Sequence, residues 1–277
     1  MAERLTSPYH DANTEMGERS DMVKQPKAIL ITGASSGVGA ALAKLYAARG
    51  VFLALTGRDA ARLEAVADAC RAKGAEVTAT TLDIAERDPL KQWIERIDDN
   101  HPLDLVVANA GMMGPSSDEA ATRRMFEVNV GGTFNTVMPL LPRFEARKSG
   151  QVAIMSSLAG WRGMPGAPGY AASKAALKLW GESLRPQMLP RGIHVSVIHP
   201  GFIDSPMTAK NTFEMPWIRS SAQAAEAIAR GLAADKARIA FPWQMFALVW
   251  TAAALPPKLG DKLIFWRRFA RKTPPAA

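Results

Sequence analysis

The chain has 277 residues, 48% of them hydrophobic, which is enough for a substantial core and too apolar for a disordered protein. Its formal charge of +8 is uneven: residues 256–277 carry Lys258, Lys262, Arg267, Arg268, Arg271 and Lys272 against Asp261, a net +5. This argues for a local anionic partner and against a chain-wide nucleic-acid surface. A single cysteine, Cys70, leaves no internal disulfide to form, and His194 and His199 have no partner at ligand spacing, so no metal site is expected.

Residues 1–26 are polar, carry acids from the outset and lack the basic-then-apolar order of a signal peptide; they read as a flexible tail. From there, apolar runs of strand length recur at 27–33 (KAILITG), 51–57 (VFLALTG), 76–83 (EVTATTLD), 103–111 (LDLVVANAG), 151–157 (QVAIMSS), 194–201 (HVSVIHPG) and 238–242 (RIAFP). Stretches of helical period lie between them, such as 38–49 and 59–73. Runs that are β-branched and apolar throughout suit strands buried on both faces of a parallel sheet. Repeated strand–helix units therefore predict a doubly wound α/β fold, three layers around a seven-stranded parallel sheet, over residues 27–242 as one domain.

Such sheets bind ligands beyond the carboxyl ends of their strands. Those ends read TGASSGVG, TGRD, LDI, NAG, MSS and HPGFIDS, all rich in glycine, hydroxyl or amide groups. In TGASSGVG the glycines at 33, 37 and 39 suit a tight turn into a helix whose N-terminus favours an anion, although the spacing departs from G-x-G-x-x-G. The second run ends at Gly57-Arg58; an arginine there offers charge and donors to a ribose 2′-phosphate, where an acid would repel it. NADP(H) is thus preferred, with NAD(H) left open. Asp83 either accepts from an adenine amino group or caps the next helix.

Tyr170 and Lys174 stand four apart on a helical stretch, so they share a face, and a lysine ammonium beside a phenol favours the phenolate. Taken together, TGASSGVG (32–39), NAG (109–111), Asn129 in FEVNV, SSLAG (156–160), YAASK (170–174) and PGFIDS (200–205) resemble the short-chain dehydrogenase/reductases in their single-domain, Rossmann-like form. The resemblance spans about residues 27–242 and includes thirteen positions from Ser157 to Tyr170. It implies a catalytic tetrad of Asn129, Ser157, Tyr170 and Lys174. Ser157, which precedes LAG, is preferred to Ser156, and Ser157 and Tyr170 are the substrate-binding pair. Tyr170 would donate or accept the proton, Ser157 would polarise the carbonyl, Lys174 would bind the nicotinamide ribose, and Asn129 would hold a relay water. Cofactor contacts are implied for Gly33, Ser35, Ser36, Gly37, Val38, Gly39, Arg58, Asp83, Ile84, Asn109, Ala110, Gly111, Tyr170, Lys174, Pro200, Gly201, Ile203 and Ser205, the last standing where the family often has threonine.

Residues 243–277 extend past the last strand. Met245 to Leu255 is an apolar stretch too short to span a bilayer, ended by Pro256-Pro257. Beyond it Leu259, Leu263, Trp266 and Ala270 share one helical stripe among basic residues. This basic amphipathic segment either packs over the substrate cleft or a subunit, or makes peripheral contact with a membrane through 245–272. The loop GWRGMPGAPG (160–169) brings Trp161 and Met164 towards substrate. The expected function is NADPH-dependent reduction of a hydrophobic ketone or aldehyde, or oxidation of the secondary alcohol, by a cytoplasmic homodimer or homotetramer with no nucleic-acid partner. The alternative is a non-catalytic nucleotide-binding or membrane-associated scaffold of the same fold; an epimerase or dehydratase would need a larger C-terminal domain.

Overall fold

In the computed structural model, residues 25–114, 118–163, 166–209, 211 and 214–266 are described, with side chains as far as 262. In chain order the elements are β1 (Ala28–Thr32), α1 (Gly37–Tyr46), β2 (Phe52–Gly57), α2 (Ala60–Arg71), β3 (Glu76–Thr81), α3 (Arg87–Asn100) and β4 (Leu105–Ala108). They continue with α4 (Glu119–Met125), α5 (Gly132–Val137), α6 (Leu141–Arg147), β5 (Gly150–Met155), α7 (Pro168–Met188), β6 (Ile193–Pro200), β7 (Ile203–Asp204) and β8 (Arg219–Ser220). Last come α8 (Ser221–Ala233), β9 (Arg238–Phe241), α9 (Trp243–Ala254) and α10 (Pro257–Trp266).

Seven strands form one parallel sheet in the order β3-β2-β1-β4-β5-β6-β9. The apolar runs do not alternate because both faces are covered. Ile29 and Ile31 of β1 pack with Leu42 of α1, Val66 of α2 and Ile228 of α8. Leu30, between them, packs on the other side with Ile94 of α3, Val137 of α5, Phe144 of α6 and Leu177 of α7. All seven predicted strands are present, each within about three residues of its expected limits. The short β7–β8 pair was not foreseen; two residues per strand carry no periodic signal. The first helix ends at Tyr46, not at residue 49, because Ala47 turns to an extended backbone.

Strand order reverses between β1 and β4, so the loops that follow them diverge and open a crevice at the carboxyl edge. Their walls are cross-tied. Thr32 Oγ1 accepts from the backbone N–H groups of Asn109 and Ala110, both at 3.1 Å, and Asn109 Nδ2 returns a bond to the Thr32 carbonyl at 2.9 Å. The expected tail lies almost wholly outside the described residues, as do Met164, Ala270 and Arg267 to Lys272.

Candidate active site

A cavity of about 300 Å³ occupies this crevice. One end is made by the turn after β1. Gly33 has φ +68°, and a Cβ there would sit 2.8 Å from Ala110 Cα; a Cβ on Gly39 would lie 2.3 Å from the Gly33 carbonyl oxygen. Glycine is required because helix α1 starts against its own entry turn and against the β4 loop. Ser36, the N-cap of α1, makes no side-chain capping bond, so the first-turn N–H groups remain available to an anion. Gly33, Ser35, Ser36, Gly37 and Val38 line the cavity, whereas Gly39 lies behind it as a packing glycine.

At the same end stand Arg58, exposed, and Arg62 of α2, whose Nε binds the α2 N-cap Asp59 at 2.7 Å. Arg62 and Asp59 went unread in the sequence because they follow the strand and belong to the cap of α2. Asp83 does not cap α3, whose N-cap is Glu86. Its Oδ1 accepts from the Ala85 N–H at 3.0 Å, and its Oδ2 pairs with Arg124 of α4. Ile84 packs beneath it, in a space kept open by Gly132.

The other end gathers residues from four segments. Asn129 lies in a π-helical turn, Phe126–Gly131, joining α4 to α5. It is fully buried behind the cavity wall, where Oδ1 accepts from the Met112 N–H at 2.7 Å and Nδ2 donates to the Met112 carbonyl and to Ser173 Oγ, each at 3.0 Å. Ser173 was missed in the sequence; it ties Asn129 to α7 by donating to the Tyr170 carbonyl at 2.8 Å. Ser157 caps a 3₁₀ turn, Leu158–Gly160: its Oγ accepts from the Ala159 N–H at 3.1 Å, donates to the Pro200 carbonyl at 3.4 Å and stands beside the Tyr170 hydroxyl. Ser156 differs, since its Oγ is spent on the Lys174 carbonyl at 2.8 Å. Lys174 Nζ donates to the Met155 carbonyl at 2.8 Å and lies 5.8 Å from the Tyr170 ring centre.

The cavity is also lined by Asn109, Ala110, Gly111, Tyr170, Lys174, Pro200, Gly201, Ile203 and Ser205. Ser205 is accompanied by Thr208, whose Oγ1 lies 3.3 Å from Ser205 Oγ and accepts from the Ser205 N–H at 3.2 Å. Thr208, Pro206 and Met207 went unread because nothing in their order shows that the chain doubles back after β7.

Two expectations need correction. Lys174 does not lower Tyr170 in the chain by itself: burial pushes the Tyr170 hydroxyl up, the Ser157 hydroxyl beside it offsets this in part, and burial draws Lys174 itself down to about 8. Trp161 does not line the cavity. Its Nε1 donates to His199 Nδ1 at 3.2 Å, its ring meets Phe246 edge-on at 5.2 Å, and Lys178 and Arg238 lie over it at 4.4 and 4.3 Å. Leu259 is exposed, whereas Gly260 is buried against the Ala252 carbonyl; the side chains of Leu263, Trp266 and Ala270 lie outside the described residues. Burial among these groups draws His199 down to about 4, so it is neutral. Among the described residues no cluster of three metal-ligating side chains occurs.

The short chain dehydrogenase family model matches residues 27–215. An uncharacterized oxidoreductase of Myxococcus xanthus is 38% identical over 237 residues, covering 84% of this chain and 94% of the relative. The 11-beta-hydroxysteroid dehydrogenase-like 4A of Arabidopsis thaliana is 32% identical over 250 residues, covering 85% and 83%. Among solved structures, a short-chain dehydrogenase from Sphingobium yanoikuyae in complex with NADPH shares the fold with a TM-score of 0.74 at 24% identity, covering 89% of this chain and 98% of the other. A short chain dehydrogenase from Mycobacterium paratuberculosis bound to NAD has a TM-score of 0.69 at 25% identity, covering 77% and 94%. The chain belongs to the short-chain dehydrogenase/reductase family and is an oxidoreductase of that type.

Proposed function

We propose that the protein reduces an apolar ketone or aldehyde, or oxidises the corresponding secondary alcohol, with NADP(H) as preferred cofactor. One observation carries this reading: Ser157, Tyr170 and Lys174, from β5's end and α7, line one cavity whose other end is the glycine turn and Arg58. The glycines fit a dinucleotide, because a Cβ at 33 or 39 would fill the turn, and the free N–H groups of α1 suit a pyrophosphate. Arg58 favours a 2′-phosphate. The family's NADPH- and NAD-bound members support a nicotinamide cofactor without choosing between the two.

When bound, the nicotinamide supplies or accepts the hydride at the carbonyl carbon. Tyr170, kept protonated by burial, gives its proton to the carbonyl oxygen, and Ser157 donates a second hydrogen bond to the same atom as negative charge develops there. Lys174, anchored on Met155 and lining the cavity, would hold the nicotinamide ribose. Gly111 leaves space beside both Asn129 Oδ1 and Lys174 Nζ: an added Cβ would lie 3.1 and 3.3 Å away. A water in that space would connect them and return a proton towards Tyr170.

An apolar substrate is supported by the partly apolar mouth, with Met207 and Pro206, and by the hydroxysteroid dehydrogenase name of the Arabidopsis relative. A homo-oligomer through the surface of the π-helical turn and α7 is supported by exposed Phe126 and Leu179. A reducing, cytoplasmic location is supported by Cys70, which is buried and free.

The test is NADPH and NADH oxidation with a panel of ketones, comparing wild type with Tyr170→Phe. Turnover should fall by roughly a thousandfold or more while NADPH binding stays within about threefold. Near-normal turnover in the variant would overturn the assignment. NADPH binding with no turnover of any ketone or alcohol would favour the scaffold.

A further inference from the structure

Helix α9, WQMFALVWTAAA, contains no charged residue in 12 positions. Met245, Val249 and Ala252 form its buried face, packed with Leu158 at the end of the active-site strand. Trp243, Ala247, Trp250 and Ala254 recur at the same helical spacing on the opposite side and face outward, Trp243 being 70% and Trp250 53% exposed. A helix apolar all round belongs in a covered position, and among the described residues nothing of this chain covers the outer face.

The neighbouring helix says what would. Helix α10 lies close on α9 through Gly260, and it presents exposed Leu259, Lys258 and Lys262. Its acid, Asp261, is paired with Arg162, which also donates to the Pro257 carbonyl at 3.3 Å; that negative charge is spent holding α10 to the loop after Ser157. Among the described residues of α10 this leaves Lys258 and Lys262 exposed with no ion-pair partner, in a segment, 256–277, whose sequence carries a net +5. A second copy placed symmetrically on this face would bring two such excesses together. An anionic bilayer surface meets both demands at once, taking tryptophans at the headgroup level and basic side chains among the phosphates. At 12 residues, roughly 18 Å long, α9 is too short to cross a hydrocarbon core of about 30 Å, and no described helix is long and apolar enough to cross a membrane.

We infer that the outer face of α9, with the basic α10 segment beside it, docks the protein on an anionic membrane surface. The placement has a consequence for substrate. Met245 Sδ and Pro242 Cδ lie 2.7 and 3.1 Å from where a Cβ on Gly201 would stand, and Gly201 lines the cavity. A docked α9 therefore holds the cleft wall about one helix diameter, roughly 10 Å, from the lipid, where apolar ketones and alcohols partition. This clause about substrate rests on the carbonyl-reductase reading; the docking does not.

The test uses the full chain and vesicles of phosphatidylcholine, alone or with roughly one-third phosphatidylglycerol. Co-sedimentation should be at least tenfold stronger on the anionic vesicles and accompanied by a blue shift of tryptophan emission. Trp243→Glu/Trp250→Glu should weaken it by about tenfold or more, with circular dichroism and turnover of a water-soluble ketone unchanged. Lys258→Glu/Lys262→Glu, which leaves the apolar face intact, should weaken binding to the anionic vesicles severalfold and leave binding to phosphatidylcholine alone unchanged. Wild-type protein that ignores both vesicles, or variants that bind as well as wild type, would overturn the inference. So would a dimer, seen by sedimentation velocity, that dissociates in the tryptophan variant while vesicles go unbound; the face would then belong to a second copy. Co-sedimentation and tryptophan emission report docking without turnover, which serves only as a control, so failure of the docking and failure of the catalytic reading are told apart.

Discussion

Lys174 Nζ is held 2.8 Å from the carbonyl oxygen of Met155, the last residue of β5, so the ammonium of α7 is anchored on the sheet edge beside Ser157. The bond fixes the lysine on the same cavity wall as Tyr170 while burial draws its pKa from 10.5 down to about 8. The cation is thus present at neutral pH and lost in the mildly alkaline range.

A pH profile follows. Reductive kcat/KM, which reports the free enzyme, should be flat from neutrality to about pH 8 and then fall as Lys174 loses its proton; Tyr170, pushed up by burial, remains protonated through this range. Lys174→Met should lower kcat/KM by roughly a hundredfold or more and remove that limb. A limb unchanged in the variant would assign it elsewhere. The linkage has the same origin. Because the folded pKa is depressed, the unfolded chain binds more protons between about 8 and 10.5, and this group's contribution to stability rises with pH through that window.

Arg58 should decide cofactor choice. It is exposed at the cavity rim and, among the described residues, no ion pair engages it, whereas neighbouring Arg62 is bound to Asp59. Arg58→Ala should raise the Kd for NADPH by about ten- to a hundredfold and leave NADH within about twofold, measured by nicotinamide fluorescence on binding. Equal losses for the two cofactors would remove the 2′-phosphate from the account.

Gly39→Ala separates packing from ligand contact. The new methyl would meet the Gly33 carbonyl at 2.3 Å and Asn109 Nδ2 at 2.6 Å, neither of which can yield without opening the β1 turn. The ligand-free protein should lose about 2 kcal/mol or more, a fall of roughly 4–8 °C in Tm by calorimetry. A change confined to cofactor affinity would show that the glycine serves the ligand alone.

His199 makes the fold sensitive to acid. It is fully buried, and Trp161 donates to its Nδ1; burial holds its pKa near 4 against an ordinary 6.5. As pH falls from about 6.5 to 4 the unfolded chain takes up the proton first, so stability declines across that interval, by up to about 3 kcal/mol from this group. In His199→Phe the wild-type-minus-variant difference in denaturant midpoint should shrink on acidification through the same interval. A difference constant with pH would remove His199 from the acid response.

Much of the architecture was legible in the sequence because burial on both faces of a sheet leaves its mark in each strand alone. Ile29, Leu30 and Ile31 are apolar together because helices cover both sides, and no other arrangement tolerates such a run in water. The glycine turn and the Tyr170/Lys174 pair were legible for a related reason: a tight turn needs its glycines close in sequence, and one helix face spaces Tyr170 and Lys174 by four. What pairs across distance was not legible. Ser156 and Ser157 are chemically alike, and only the approach of α7 commits one to the Lys174 carbonyl and sets the other beside the Tyr170 hydroxyl. The π-helical turn that seats Asn129, the Asp83–Arg124 pair and the aromatic packing of Trp161 likewise depend on contacts between elements. So does the bare outer face of α9: its composition reads as a buried helix, and only the tertiary structure, by packing one side and leaving Trp243 and Trp250 in the open, shows which half of that apolar surface is exposed.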